Sequence, residues 1–270
     1  MAAVTAPAAV PTVERRSALA TALADTAAVT WRNLKAMSRT PEVIVFSTIQ
    51  PVIFVLTFRY VFGGAIRTPG FDYVDFLMPG VFVQTVAFGS ISTGIGLSED
   101  LHKGMIERFR SLPMARSAVI AGRTVADLVR NVVVVLLMIG VGFAVGFRVH
   151  TGPVPFAASI LLLLAFSFAL SWVFVLIGLR APNAEAAQAG SFPILALLVF
   201  ASSAFVPKAT MPGWLQAYND VQPVSVTVEA ARALSMGGPT RGYLLGAIAW
   251  AIAIVALFAP LGVARYRRST

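Results

Sequence analysis

Between two long apolar runs lies a polar stretch, Glu107-Arg108-Phe109-Arg110-Ser111-Leu112-Pro113-Met114-Ala115-Arg116. These residue types perform no covalent reaction at this spacing, but they suit docking. At helical spacing Ile106, Phe109 and Leu112 share one face, Glu107, Arg108 and Arg110 point away from it, and the proline ends the helix. A short helix that is apolar on one side and charged on the other can seat in the groove of a partner protein. A plainer description, a basic inner loop of a membrane protein, also accounts for the arginines. The continuation through Gly122 to Arg123 favours the docking element.

Other chemistry is missing. The chain has no glycine-rich phosphate loop of the G-x-x-x-x-G-K-[ST] type, so it is not expected to hydrolyse ATP alone. With no cysteine and only His102 and His150, thiolate and histidine metal sites are excluded as expectations. Asp127 and Glu185 are expected near inner ends of apolar runs, and Asp72, Asp75, Asp220 and Glu229 outside them. Ion-coupled carriers place such groups at mid-membrane depth, so the pattern argues against a secondary carrier. No serine–histidine–acid or paired-carboxylate spacing suggests an enzyme.

The elements that must position the docking segment are set by composition. The chain of 270 residues is 57% hydrophobic and 12% charged, with a mean hydropathy of +0.80. Soluble domains carry about 25% charged residues, so the bilayer is the expected solvent. The net charge of +9 does not imply nucleic acid, because the basic residues cluster at the ends of apolar runs. Roughly 20 apolar residues cross a hydrocarbon core. Six runs serve: 43–63, 74–97, 118–147, 156–179, 186–206 and 243–264. The second is the least apolar, with Ser90, Ser92 and Thr93 near its inner end, and the third is polar up to Arg130. With both termini in the cytosol, 15 of the 21 Lys and Arg lie inside, as the positive-inside rule requires. The expected fold is all-α: a polytopic six-span membrane protein with an interfacial helix before the spans and short outer helices before the last.

Residues 1–16 read as a flexible tail and 265–270 as a cytosolic tail. In 17–40, Leu19, Leu23, Ala27, Trp31 and Leu34 recur at helical spacing, which predicts an amphipathic helix at the inner interface or on the protein's own cytosolic face. The inner loop that carries the docking segment is 98–117. In the outer segment 207–241, Met211-Pro212-Gly213-Trp214-Leu215 and Val224–Leu234 predict two short helices broken at 219–223, with Trp214 at the interface. Phe54, Phe58, Phe82 and Phe88 are candidates for a hydrophobic path, or for faces turned to lipid. Arg59, near the outer end of the first span, is a functional-site candidate or snorkels to headgroups. Pro51, Pro79 and Pro193 predict kinks.

Four blocks in order (Arg39–Ile66, Tyr73–Gly96, Asp100–Asn131 and Ser202–Leu234) resemble type-2 ABC exporter permeases of the daunorubicin/doxorubicin-resistance group. The group often carries aspartate before its arginine-phenylalanine-arginine; here Glu107 keeps the charge. The resemblance implies a homodimeric permease served by two copies of an ABC ATPase that bind ATP and Mg, with no cofactor on this chain; the Ala-, Val- and Arg-rich composition points to a bacterial inner membrane. It implies that Glu107, Arg108, Phe109, Arg110, Ser111, Leu112, Pro113, Met114, Arg116, Gly122 and Arg123 couple to that ATPase. It also implies that the outer helices dip into the membrane and cap an exit for a hydrophobic or amphiphilic drug, polyketide or lipid. From the residues alone, a non-transporting membrane scaffold that recruits a cytosolic partner remains the alternative, with an ion-coupled carrier behind it.

Overall fold

In the computed structural model, residues 18–39, 41–66, 68, 70–103 and 116–268 are described, and every regular element among them is helical. The docking segment, residues 104–115, lies outside the described residues, as do the first 17 and last two.

Helix α1 covers Ala18–Ser38. Helix α2, Pro41–Leu56, runs on into a π-helical stretch, Thr57–Phe62, that carries Arg59. Helices α3 (Tyr73–His102), α4 (Arg116–Ala144), α5 (Pro153–Gly178) and α6 (Ala184–Phe200) follow. A 3-10 turn at Lys208–Thr210 precedes α7 (Gly213–Val221), α8 (Pro223–Met236) and α9 (Thr240–Arg268). Local chemistry marks many of these limits. Proline opens α2, α5 and α8, where a missing N–H goes unnoticed. The Asn183 side chain caps α6 by accepting from Ala186 N at 2.7 Å. Helix α8 stops at Gly237, whose φ of 93° suits a residue without Cβ.

Four stretches are long and apolar enough to cross a bilayer: Tyr73–His102, Ile120–Ala144, Pro153–Gly178 and Thr240–Tyr266. Two shorter apolar helices, Ser47–Phe62 and Ala184–Phe200, stand where the first and fifth runs are expected. The fifth run was expected to reach residue 206, but the helix ends at Phe200. Beyond it the Ser202 hydroxyl turns back to Val199 O, and Ser203 N bonds the Ser225 side chain of α8 instead of continuing the helix.

Helix α3 is the centre of the bundle, packed against α2, α4, α5, α6 and α8. Two of its buried hydroxyls are satisfied within the helix, Thr85 and Ser90 donating to the carbonyls of Val81 and Val86. Gly94 of α3 lies on the backbone of Phe174 and Gly178 of α5, so a side chain there would force the helices apart. The outer faces carry bulky apolar groups: Leu137, Leu161, Leu197, Leu245 and Leu257 are all exposed. A water-facing surface rarely shows so much aliphatic area; a lipid-facing one does.

The face that α1 turns to the bundle is not the predicted stripe. Thr26, Val29 and Thr30 meet Gly122 of α4, with Val29 only 3% exposed and Thr30 Oγ1 donating to Gly122 O at 3.1 Å. Leu23 and Trp31, by contrast, are each 68% exposed. The helix therefore packs on the protein through small residues and turns its large apolar ones away.

Candidate functional site

Polar constellations interrupt the apolar bundle at several levels among the described residues. The first brackets the undescribed segment 104–115. Arg123 Nη1 donates to Asp100 Oδ2 at 2.6 Å, and Arg32 Nη2 stands 3.9 Å from the same oxygen. One carboxylate thus ties α1, α3 and α4 together where the chain leaves α3 and re-enters α4. The pair is about one-fifth exposed, which protects it from the screening that makes surface pairs weak. Of the predicted coupling residues, Arg123 belongs to this tie and Gly122 lies buried beneath α1. Arg116 opens α4. Glu107, Arg108, Phe109, Arg110, Ser111, Leu112, Pro113 and Met114 lie outside the described residues.

The second is a cavity of about 290 Å³ between α2, α3, α4 and α6. Phe88 and Phe192, with ring centroids 5.6 Å apart, form one wall. Gln84, Arg130 and Asn131 are the buried polar residues of its lining, and Gln50 and Gln188 are exposed ones. Arg130 Nη2 donates to Gly89 O at 2.6 Å, and its Nη1 lies 3.5 Å from Asp127 Oδ1. Asn131 Nδ2 donates to Ser167 Oγ of α5 at 2.6 Å. Contact with Gly89 puts Arg130 level with the middle of α3, halfway along α4. Asp127 and Arg130 are thus a buried pair deep in the bundle and not at an inner end as expected. Helix α4 carries them there because it is continuous from Arg116, with its polar side facing α3 and α5 instead of lipid.

The predicted path residues divide among three surroundings. Phe88 lines the cavity. Phe82 is sealed in the core, edge-on to Phe147. Phe54 and Phe58 stack on each other and on Phe205, beside Phe200. Arg59 is half-buried near the Gly146 turn that follows α4.

The third constellation is at the opposite end from Asp100. Arg232 of α8 donates from Nε and Nη2 to Phe76 O, both at 3.2 Å, and from Nη2 to Ser203 O at 3.0 Å. Its Nη1 reaches Glu229 Oε1 at 2.7 Å, and its guanidinium lies 3.6 Å over the Phe76 ring. Ser203 Oγ also donates to Glu229. Gly80 of α3 receives the Ala204 backbone in direct contact. Asn219 of α7 donates to Ala201 O at 3.0 Å, and Trp250 of α9 donates to Val221 O at 2.8 Å. Helix α8 is thereby locked among α3, α5 and α9, while Trp214 at the start of α7 stays 73% exposed. Around it, Met211 and Leu215 are half-buried, and Pro212 and Gly213 are exposed. The break between the two short helices falls at Gln222, inside the expected interval. Sequence reasoning missed Arg232 and Glu229 as a site, counting them only as outer charges. The signal was present: an i, i+3 acid–base pair in a helix otherwise made of small and apolar residues.

Residues 24–236, which span all three constellations, match the ABC-2 type transporter family. The chain belongs to that family. This ABC-2 permease is 37% identical, over 93% of its length and 89% of the relative's, to the daunorubicin resistance ABC transporter permease protein DrrB1 of Streptomyces coeruleorubidus. It is 26% identical, over 92% of its length and 90% of the relative's, to the probable doxorubicin resistance ABC transporter permease protein DrrC of Mycobacterium tuberculosis H37Rv. The putative transport permease ycf38 of Cyanophora paradoxa is 24% identical over 73% of this chain and 69% of its own. The chain is therefore a multi-pass membrane protein and the permease subunit of an ABC transporter, whose family implies an ABC ATPase as partner.

Proposed function

We propose that this permease is the membrane half of a drug-type exporter in a bacterial inner membrane, working as a homodimer with two copies of the ATPase and with both termini in the cytosol. It carries a hydrophobic or amphiphilic compound, a drug, polyketide or lipid, from the cytosol or inner leaflet outward. ATP and Mg bind to the partner, and this chain hydrolyses nothing itself. The observation that carries this reading is end-to-end similarity to a permease named for daunorubicin resistance. The segment Glu107–Arg116 docks on the ATPase. Asp100, Arg123 and Arg32 give it a rigid base, so that closure of the ATPase moves α3 and α4 and not only a loop. A docking element transmits work only if its contacts differ between the two states. The outer helices α7 and α8 cap the exit, and α1 rests its Leu23–Trp31 face on the inner interface.

The test is purification of the permease from its native membrane in mild detergent, with ATPase activity assayed in the eluate. An ATPase subunit should co-purify, and Glu107→Lys should remove it while the permease still inserts. Deleting the chain should abolish efflux of a hydrophobic drug. A permease that elutes alone under several detergents, with efflux unchanged by its deletion, would make it a scaffold instead.

A further inference from the structure

Among the described residues, the cavity between α2, α3, α4 and α6 is lined by one charged side chain, Arg130. Arg130 is 7% exposed, at mid-depth in an apolar bundle, where a guanidinium is expensive to bury and commonly marks a functional site. Its hydrogen bonds go to neutral acceptors, Gly89 O at 2.6 Å and Asn131 Oδ1 at 3.4 Å, and its ion pair is long. The Asp127 contact of 3.5 Å is longer than the roughly 2.7–2.9 Å of a close charge-assisted bond. The other Asp127 oxygen has no hydrogen-bond partner among the described residues. Asp127 also faces away from the cavity, toward Thr124 and Ser171 between α4 and α5. What the cavity presents is therefore the cation. Among the described residues its lining holds no carboxylate; the remaining polar groups are amides and hydroxyls. Gln84 is 2% exposed, and its carboxamide oxygen has no donor. A buried polar group left in that state calls for a partner. The same lining carries Phe88 and Phe192, a tilted aromatic pair, with Phe88 one turn from Gln84 on α3.

We propose that this cavity binds an amphiphile with a flat aromatic body and an acidic or strongly hydrogen-bond-accepting group, held by Arg130, and that it discriminates against amine cations. The aromatic body lies against Phe88 and Phe192, and a hydroxyl on the ligand donates to Gln84. A cationic amine in the same place would meet the guanidinium first, with Asp127 behind it on the α5 side and not in the cavity lining. The volume of about 290 Å³, near the lower end of the roughly 300–1,000 Å³ of small-molecule sites, suits a bicyclic or tricyclic body. The proposal rests on the exporter function above and names the class of compound that its path prefers.

Two probes of matched shape and opposite charge, 2-naphthalenesulfonate and 2-naphthylmethylammonium, test it by equilibrium dialysis. The permease is held in nanodiscs of zwitterionic lipid, and binding to empty nanodiscs is subtracted. Saturable sulfonate binding at least about tenfold tighter than ammonium binding is expected. Arg130→Gln should bring the two affinities together. Because Arg130 also bonds Gly89, a second variant guards against misfolding: Gln188→Glu adds a carboxylate at an exposed position of the lining and should reverse the preference. Equal affinities in the unaltered permease, or a preference untouched by Gln188→Glu, would overturn the proposal. Efflux of each probe from cells with and without the permease separates the two levels. Efflux without charge preference removes this inference alone, whereas no permease-dependent efflux of any amphiphile removes the exporter function.

Discussion

A guanidinium held by two backbone carbonyls, a carboxylate and a phenyl face, as Arg232 is, cannot be removed without leaving those acceptors unpaired inside the protein. Arg232→Ala should therefore destabilise the outer end by about 3 kcal/mol, the usual cost of breaking a buried pair from one side. A drop of several degrees in the melting temperature of the detergent-solubilised permease would register it. The double change Arg232→Met with Glu229→Gln removes both charges and should recover much of the loss. If Arg232→Ala melts like the unaltered protein, the clamp is not what holds α8. Arg123 and Asp100 form the corresponding pair at the other end, with Arg32 as a third member. One carboxylate there satisfies two cations from different helices, so its role is to fix geometry more than to add stability.

The helices meet where side chains are smallest. Gly94 and Gly178 let α3 and α5 approach to backbone contact, and lipid on the outside offers no hydrophobic drive to press them together. The contact depends on close van der Waals fit, so Gly94→Val should abolish the monodisperse peak of the solubilised permease in size-exclusion chromatography. Gly190→Ala is the matched control: its new methyl would meet only Ile177, at an ordinary 3.9 Å, and should leave the peak in place. A monodisperse Gly94→Val protein would show that the two helices can separate without loss of the fold. Helix α1 follows the same rule. It docks through Thr26, Val29 and Thr30 onto Gly122, and its large residues Leu23 and Trp31 remain for the surroundings.

At the scale of the molecule, the two ends of α3 carry different machinery. The Arg232 clamp gathers at Phe76, and the Asp100 tie lies at the opposite end of the helix, about 36 Å away. Because the chain has no cysteine, single thiols can report which end faces the cytosol. A membrane-impermeant maleimide should label Trp214→Cys in intact cells and Lys103→Cys only after permeabilisation; both sites are exposed. The reverse pattern would invert the proposed orientation. Much of this architecture was legible residue by residue. Apolar runs mark the helices because lipid solvates each side chain separately, and prolines and Gly237 mark several of their ends through local backbone geometry. The helices α1, α7 and α8 follow from the same local rules. The family, too, was legible in four blocks of sequence, each of which is local. What the tertiary structure alone decided depends on pairs far apart in the chain. It set the face through which α1 packs, the early end of α6 at Phe200, and the depth of Asp127 and Arg130. It also separated Phe88 from Phe82 and drew Arg232 onto Phe76 and Ser203. Those outcomes turn on which backbone carbonyl or carboxylate lies within about 3 Å of a buried donor, and helical periodicity carries no information about a partner on another helix.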